Sequence, residues 1–278
     1  MARAYMAYGE YNKALPLAEK AITAARQLRL NGDSVEELTN CLGDLAYIYT
    51  NLGRFADAEQ LCRLCICLQQ EIYYDRHPYI AYSLRTLAEI HKRQGRFSDA
   101  QGELLQAIDI MLESHPADDA VIAPFQVDFA RLLVAGGNLT EAERYYDGAV
   151  KQINQTFGPE HLYSATVLGG LAELYTLQNR YTEAEPLINK SQAIQEKFYG
   201  HDSCLITGLW LTKARICFAK GRAGEADNLI EKARNAIRKT GNTTELAGLE
   251  QIVSIIRQTK PETASLTPIQ ARRDNAST

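Results

Sequence analysis

The sequence predicts an all-α fold, a right-handed α-solenoid of antiparallel helix pairs, and three observations carry that prediction. Candidate turn residues Gly9, Gly53, Gly95, Gly137, Asn179 and Gly221 are spaced by 44, 42, 42, 42 and 42 residues, the kind of fixed period that stacks repeats. Alanine stands seven residues before every turn, at Ala2, Ala46, Ala88, Ala130, Ala172 and Ala214. It returns five residues after every turn, at Ala14, Ala58, Ala100, Ala142, Ala184 and Ala226. With alanine at roughly one residue in ten, one such column arises by chance on the order of once in a million.

Each element follows from this phase. Two antiparallel helices joined by a tight turn approach closely only where side chains are small, and the alanines supply that clearance. A third small column, twelve residues past the turn, is expected to receive the next repeat: Ala21, Cys65, Ala107, Ala149, Ser191 and Ala233. Larger residues fill the space between as core knobs, Leu42, Leu84, Leu168 and Trp210 in the first helices and Tyr11, Phe55, Phe97, Leu139 and Tyr181 after the turns. The turn glycines suit a helix end that goes left-handed, and Asn179 is the next-best residue for that conformation. Ser98, Thr140 and Thr182 are followed three residues later by Gln101, Glu143 and Glu185, a capping-box spacing that predicts where the second helices start. On that phase Pro16 and Pro186 fall in a first turn, where a missing amide hydrogen has no partner to lose.

Composition bounds the rest. Apolar residues are 46% and charged residues 23% of 278, an ordinary globular balance. Thirty basic against 34 acidic residues leave a net charge of -4 and no basic block, so no nucleic acid is expected as partner. No stretch nears the roughly 20 apolar residues of a membrane span, so no membrane partner is expected, and a cytoplasmic location is. Six cysteines in a chain this long read as reduced thiols. Cys62, Cys65 and Cys67 have spacing that thiolates use for zinc, but Cys62 and Cys65 fall in the core columns, so buried thiols are favoured and no metal is expected. His77, His115, His161 and His201 are spread over inter-repeat loops, where capping explains them better than ligation, and His91 stands where sister repeats carry tyrosine. Sequons begin at Asn138, Asn154 and Asn242 and carry little weight. No paired acid, serine elbow or phosphate-cradling loop is present, so neither an enzyme nor a cofactor is expected.

Small residues at these two spacings, a turn glycine and an aromatic two residues later resemble the tetratricopeptide repeat (TPR). The 42-residue period and the phrases Glu183-Ala184-Glu185-Pro186-Leu187, Phe157-Gly158-Pro159-Glu160-His161 and His77-Pro78-Tyr79-Ile80-Ala81 resemble its kinesin-light-chain type. The resemblance implies six repeats over 1–241, the first lacking much of its opening helix as though the chain were a fragment. A C-terminal capping helix is expected over 242–258 and a disordered polar tail over 259–278.

The resemblance further implies that first helices line a concave groove, where another protein's peptide or helical segment would bind. The column six residues before each turn reads Arg3, Tyr47, Glu89, Arg131, Glu173 and Arg215. Neighbouring positions add Asn40, Asp44, Asn51, Tyr82, Arg85, Arg93 and Asp128, with Thr166, Thr176 and Thr212. Arg85, Arg131 and Arg215 are candidates to bind carboxylates bidentately; the competing reading pairs Glu89, Arg131, Glu173 and Arg215 with one another across repeats. The asparagine-and-lysine clamp that some TPR proteins close on a terminal carboxylate is not matched, since Asp128 would oppose an anion. A scaffold or adaptor is therefore the expected function. The alternative is a regulatory or oligomerisation module of a larger signalling protein, with self-association through the open N-terminal repeat.

Overall fold

In the computed structural model, which describes residues 1–30, 35–116 and 119–258, first and second helices alternate along an all-α solenoid. The first helices are α1 (Ala2–Ala7), α3 (Val35–Asn51), α5 (Pro78–Arg93), α7 (Ala123–Ala135), α9 (Leu162–Leu177) and α11 (Thr207–Ala219). Each packs against its successor: α2 (Tyr11–Leu30), α4 (Phe55–Tyr73), α6 (Phe97–Ser114), α8 (Leu139–Phe157), α10 (Tyr181–Tyr199) and α12 (Ala223–Thr240). A last helix, α13 (Thr243–Arg257), lies on α11 and α12 and buries Leu249, Val253 and Ile256. The stretch 259–278 lies outside the described residues.

The small columns sit where close packing demands them. All of the alanines after the turns are fully buried, and of those before the turns only Ala2 is partly exposed. Every turn residue has a left-handed φ, between 61° at Asn179 and 82° at Gly137. The third column is buried from Cys65 to Ala233 but not at Ala21, which is exposed while Ile22 beside it is buried. Cys65 and Ser191 donate to the carbonyls of Thr39 and Ala165, early in the first helix of their own repeat, and the six-residue α1 offers Ala21 no such cover. Phe97 is also 40% exposed and is no core knob, unlike Tyr11 and Tyr181.

The predicted capping boxes are absent. The second helices start earlier, at Phe97, Leu139 and Tyr181, so Ser98, Thr140 and Thr182 are already helical. Arg96, Asn138 and Arg180 stand at the caps, and of these only the Asn138 side chain accepts a backbone N–H, that of Glu141. Pro16 and Pro186 consequently lie past the first turn, where each removes a hydrogen bond the helix could have made.

The glutamates read as box partners instead form a ladder between repeats. Arg180 Nη1 donates to Glu143 Oε1 at 2.7 Å and Arg222 Nη2 to Glu185 Oε1 at 2.5 Å. Arg96 Nη1 reaches Glu59 Oε2 at 3.1 Å in the same way. Where the arginine is replaced by Asn138, the glutamate of the preceding repeat is replaced by Gln101, so both ends of that rung change together.

His91 is fully buried between two carboxylates, with Nε2 3.2 Å from Glu59 Oε1 and Nδ1 2.9 Å from Glu103 Oε2. Burial alone would raise the Glu59 pKa, but the hydrogen bonds from Arg63 and the close approach of His91 outweigh it and bring it to about 2. A depressed carboxylate stabilises the fold above its unfolded pKa of about 4.3 and loses that contribution as pH falls toward the folded value. Glu59→Gln should therefore flatten the acid limb of stability between about pH 4 and pH 2 by about 1–2 kcal/mol, measured by urea unfolding across that range.

The starts of the first helices share a device spaced by 42 residues. His77 Nδ1 accepts from Tyr79 N at 3.2 Å, Asp119 Oδ1 from Val121 N at 2.9 Å, His161 Nδ1 from Tyr163 N at 3.2 Å and Ser203 Oγ from Leu205 N at 3.3 Å. Capping thus accounts for His77 and His161, as expected from sequence. His201 instead lies 2.9 Å from Glu196 Oε2.

Just before His77, Tyr74 holds φ 74° and ψ 164°, a region open essentially to glycine alone; its counterparts are Gly158 and Gly200, with φ 84° and 87°. Tyr74 is 70% exposed, so little packing compensates. Tyr74→Gly should raise stability by about 1 kcal/mol, read from the shift in the thermal midpoint.

The two ends of the array meet. Asn242 Nδ2 donates to Asn51 O at 3.1 Å, Asn12 Nδ2 to Gly241 O at 3.4 Å, and Cys204 Sγ to Tyr8 O at 3.6 Å. The turn at Tyr8 and Gly9 lies against the 3-10 turn Cys204–Ile206, while α1 itself buries none of its residues.

Candidate functional site

Residues on α3, α5 and α7 converge on two adjoining cavities that share Tyr47 and Tyr82. The first, about 480 Å³, is lined by Asn40, Asp44, Tyr47 and Tyr82 with Arg3, Glu36 and Tyr79 at its rim. Its floor is a buried polar network in which Ser83 Oγ donates to Gln69 Oε1 at 2.8 Å. Cys62 and Cys65 belong to that floor, donating to Ser83 O at 3.1 Å and Thr39 O at 3.4 Å. Burial pushes both thiols up, which keeps them protonated, so their chemistry is that of small core residues.

The second cavity, about 420 Å³, is lined by Tyr47, Asn51, Tyr82, Arg85, Glu89, Arg93, Asp128 and Arg131. Lys92, Thr50 and Thr86 complete it. Four cations, Arg85, Lys92, Arg93 and Arg131, therefore face two carboxylates, Glu89 and Asp128, in a chain whose net charge is -4. This second cavity carries a formal excess of two positive charges.

Its charges are organised by helix. Glu89 is held by Lys92 and by Arg93, whose Nε lies 2.8 Å away, both on its own helix. Burial opposes the Glu89 charge, but those two cations more than offset it and hold its carboxyl below the usual range. Arg93 also donates to Asn51 Oδ1 at 3.3 Å and Thr50 O at 3.4 Å, tying α5 to α3. Asp128 takes Arg85 from the preceding repeat and, at 3.4 Å, Arg131 from its own helix. Burial works against the Arg131 charge, yet Asp128 and then Tyr146, Glu173 and Glu89 outweigh it, so its pKa lies above the ordinary arginine value.

The cross-repeat chain of pairs among Glu89, Arg131, Glu173 and Arg215 does not form by contact. Glu89 and Arg131 find partners nearer to hand, as above, and Glu173 acts on Arg131 only at longer range. Glu173 and Arg215 line neither cavity. Arg215 Nε is buried, and among the described residues it has no hydrogen-bond partner. Thr176 is not a groove residue either: it is buried and donates to Ala172 O at 2.7 Å. A smaller space of about 170 Å³ continues the groove from Arg85, Asp128 and Arg131 to Thr166, Tyr163 and Tyr199. Lys92, Tyr163 and Tyr199 escaped the sequence reading because they stand outside its column. Only Lys92, next to groove position 93 on a known helix, left a signal that could have found it.

Among the described residues no helix is long and apolar enough to cross a membrane, and no His/Cys/Asp/Glu group is disposed to hold a metal ion.

Stacked helix pairs around a concave polar face define a repeat protein of the protein-interaction class. The tetratricopeptide repeat family model matches residues 37–113 and 122–197, more than half of the sequence, and the chain belongs to that family. Its repeats are kinesin-light-chain-like. It is 23% identical over 252 residues to Protein KINESIN LIGHT CHAIN-RELATED 1 of Arabidopsis thaliana, and the match covers 90% of this chain but only 40% of that one. Among solved structures it resembles BtubC (BKLC) from P. vanneervenii, with TM-score 0.62 and 19% identity over 83% of this chain and 92% of the other. It also resembles a Rap protein solved in complex with Competence and Sporulation Factor, with TM-score 0.67 and 13% identity over 93% and 71%.

Proposed function

We propose that this chain is a non-catalytic interaction scaffold whose concave groove, from Asn40 to Arg131, holds an acidic polypeptide segment of a partner protein. The observation that carries this is the second cavity, where guanidinium and ammonium groups outnumber carboxylates although the chain as a whole is acidic. Guanidinium groups bind carboxylates through paired hydrogen bonds, so Arg85, Arg93 and Arg131 provide directional as well as electrostatic recognition. Tyr47 and Tyr82, 44% and 45% exposed, supply amphipathic contact area between the two cavities. The adjoining Ser83–Gln69 floor offers polar partners for a neighbouring side chain.

The test selects phage-displayed random 12-residue peptides on the full chain and measures the winners by fluorescence anisotropy. Selected peptides should be enriched in Asp and Glu. They should weaken about tenfold or more on Lys92→Glu with Arg131→Glu, which turns attraction into repulsion, while helicity stays unchanged. Winners without acidic enrichment, or equal binding by the double variant, would remove the groove assignment.

A further inference from the structure

The contacts between the two ends of the array bear on what can enter the groove. Three hydrogen bonds span 191, 196 and 229 residues of sequence, from Asn242, Cys204 and Asn12. Asn242 is 5% exposed, and Gly9 packs so tightly that an added Cβ would overlap Cys204 Sγ. On the inner side, one cavity of about 480 Å³ is lined jointly by Asn51 and Arg93 from the early repeats and by Thr207, Asn242 and Glu245 from the late ones. Glu245 is near enough to Arg93 to feel its charge, and Tyr199 near enough to Tyr47. The concave face is therefore walled on the side where a solenoid is ordinarily open.

We infer that the ends of the array clasp each other and close the groove into a channel that admits a free polypeptide end and excludes the interior of a longer folded chain. A free chain end can thread lengthwise in extended form, whereas a segment flanked by folded domains on both sides needs the wall to part. The clasp is weak enough to part. It is held by three neutral hydrogen bonds, one of them from a thiol, and by no ion pair among the described residues. Entry of an internal segment thus becomes slow rather than forbidden.

The entry claim rests on the groove being the binding surface; the clasp itself does not, and two measurements keep them apart. Spin labels attached through unnatural amino acids at Lys20 and Arg238, exposed on α2 and α12, report the end-to-end distance without ligand. A single narrow distribution is expected; a broad one would overturn the clasp whatever the peptide data show. The strongest display-selected peptide is then compared by stopped flow as a free peptide and as the same sequence between two folded domains. The flanked form should associate at least tenfold more slowly. Asn12→Ala with Asn242→Asp should restore its rate, because the aspartate keeps the cap on α13 that Asn242 makes to Glu245 N but loses the donor to Asn51 O. Equal rates for free and flanked peptides on the unaltered chain would overturn the inference.

Discussion

Trp210→Ala should lower stability by about 3–5 kcal/mol, the cost of emptying a large, fully buried aromatic site. Trp210 on α11 is 0% exposed and lies in the cluster with Ala214, Ile230, Ala233 and Val253, so it joins the last helix pair to α13. Lys232 Nζ sits over its ring, 4.5 Å from the centroid. In a repeat array each unit leans only on its neighbours, so the loss concentrates at the C-terminal end. Hydrogen exchange should quicken in α11, α12 and α13 well before α3 to α6. The same clasp residues, Cys204 and Asn242, flank this region, so the variant should also broaden the end-to-end distance. An unfolding midpoint unchanged in urea would contradict the packing described for this end.

The second large effect is at Gly170. A Cβ there would lie 2.6 Å from Tyr146 Oη and 2.7 Å from its ring, and Tyr146 is itself buried with nowhere to turn. Gly170→Leu should therefore destabilise by about 3 kcal/mol through overpacking between α8 and α9. Gly102 and Gly148 are also mid-helix glycines, but an added Cβ meets nothing within 4 Å at either. Gly102→Ala and Gly148→Ala should each stabilise by up to about 1 kcal/mol, from helix propensity alone. Urea unfolding of the three variants separates steric from propensity effects, because the two predictions have opposite sign. A stabilising Gly170→Leu would mean that α8 and α9 are farther apart than described.

Much of this fold was legible because its requirements are local and chemically narrow. A left-handed helix end accepts glycine or asparagine and little else, and closely approaching helices accept alanine, so Gly53 to Gly221 and Ala46 to Ala226 announce themselves. The capping boxes misled because Glu143 and Glu185 are placed by arginines 37 residues away, at Arg180 and Arg222, and a three-residue pattern cannot reveal that partner. His91 was legible as a substitution for tyrosine, but not as the centre of a triad, since Glu59 and Glu103 come from two other helices. The groove column was placed by helical phase alone, which is why Tyr47, Glu89 and Arg131 fall together in the cavities. Which charges pair depended on rotamers and neighbours. The meeting of the two ends was not legible at all, because it depends on the small rotation of each repeat upon the last, summed over the array.

A partner's chain lying along α3, α5 and α7 on the concave side, as proposed, is within reach of a photocrosslinker carried by the peptide. That placement is tested most directly by placing a benzophenone in the middle of the strongest selected peptide, irradiating its complex with the full chain and mapping the adducts by mass spectrometry. Adducts within 40–51, 79–93 and 124–131 are predicted, lost when unlabelled peptide competes. Adducts confined to the second helix 97–114, which lines neither cavity, would place the ligand on the outer surface and overturn the proposal.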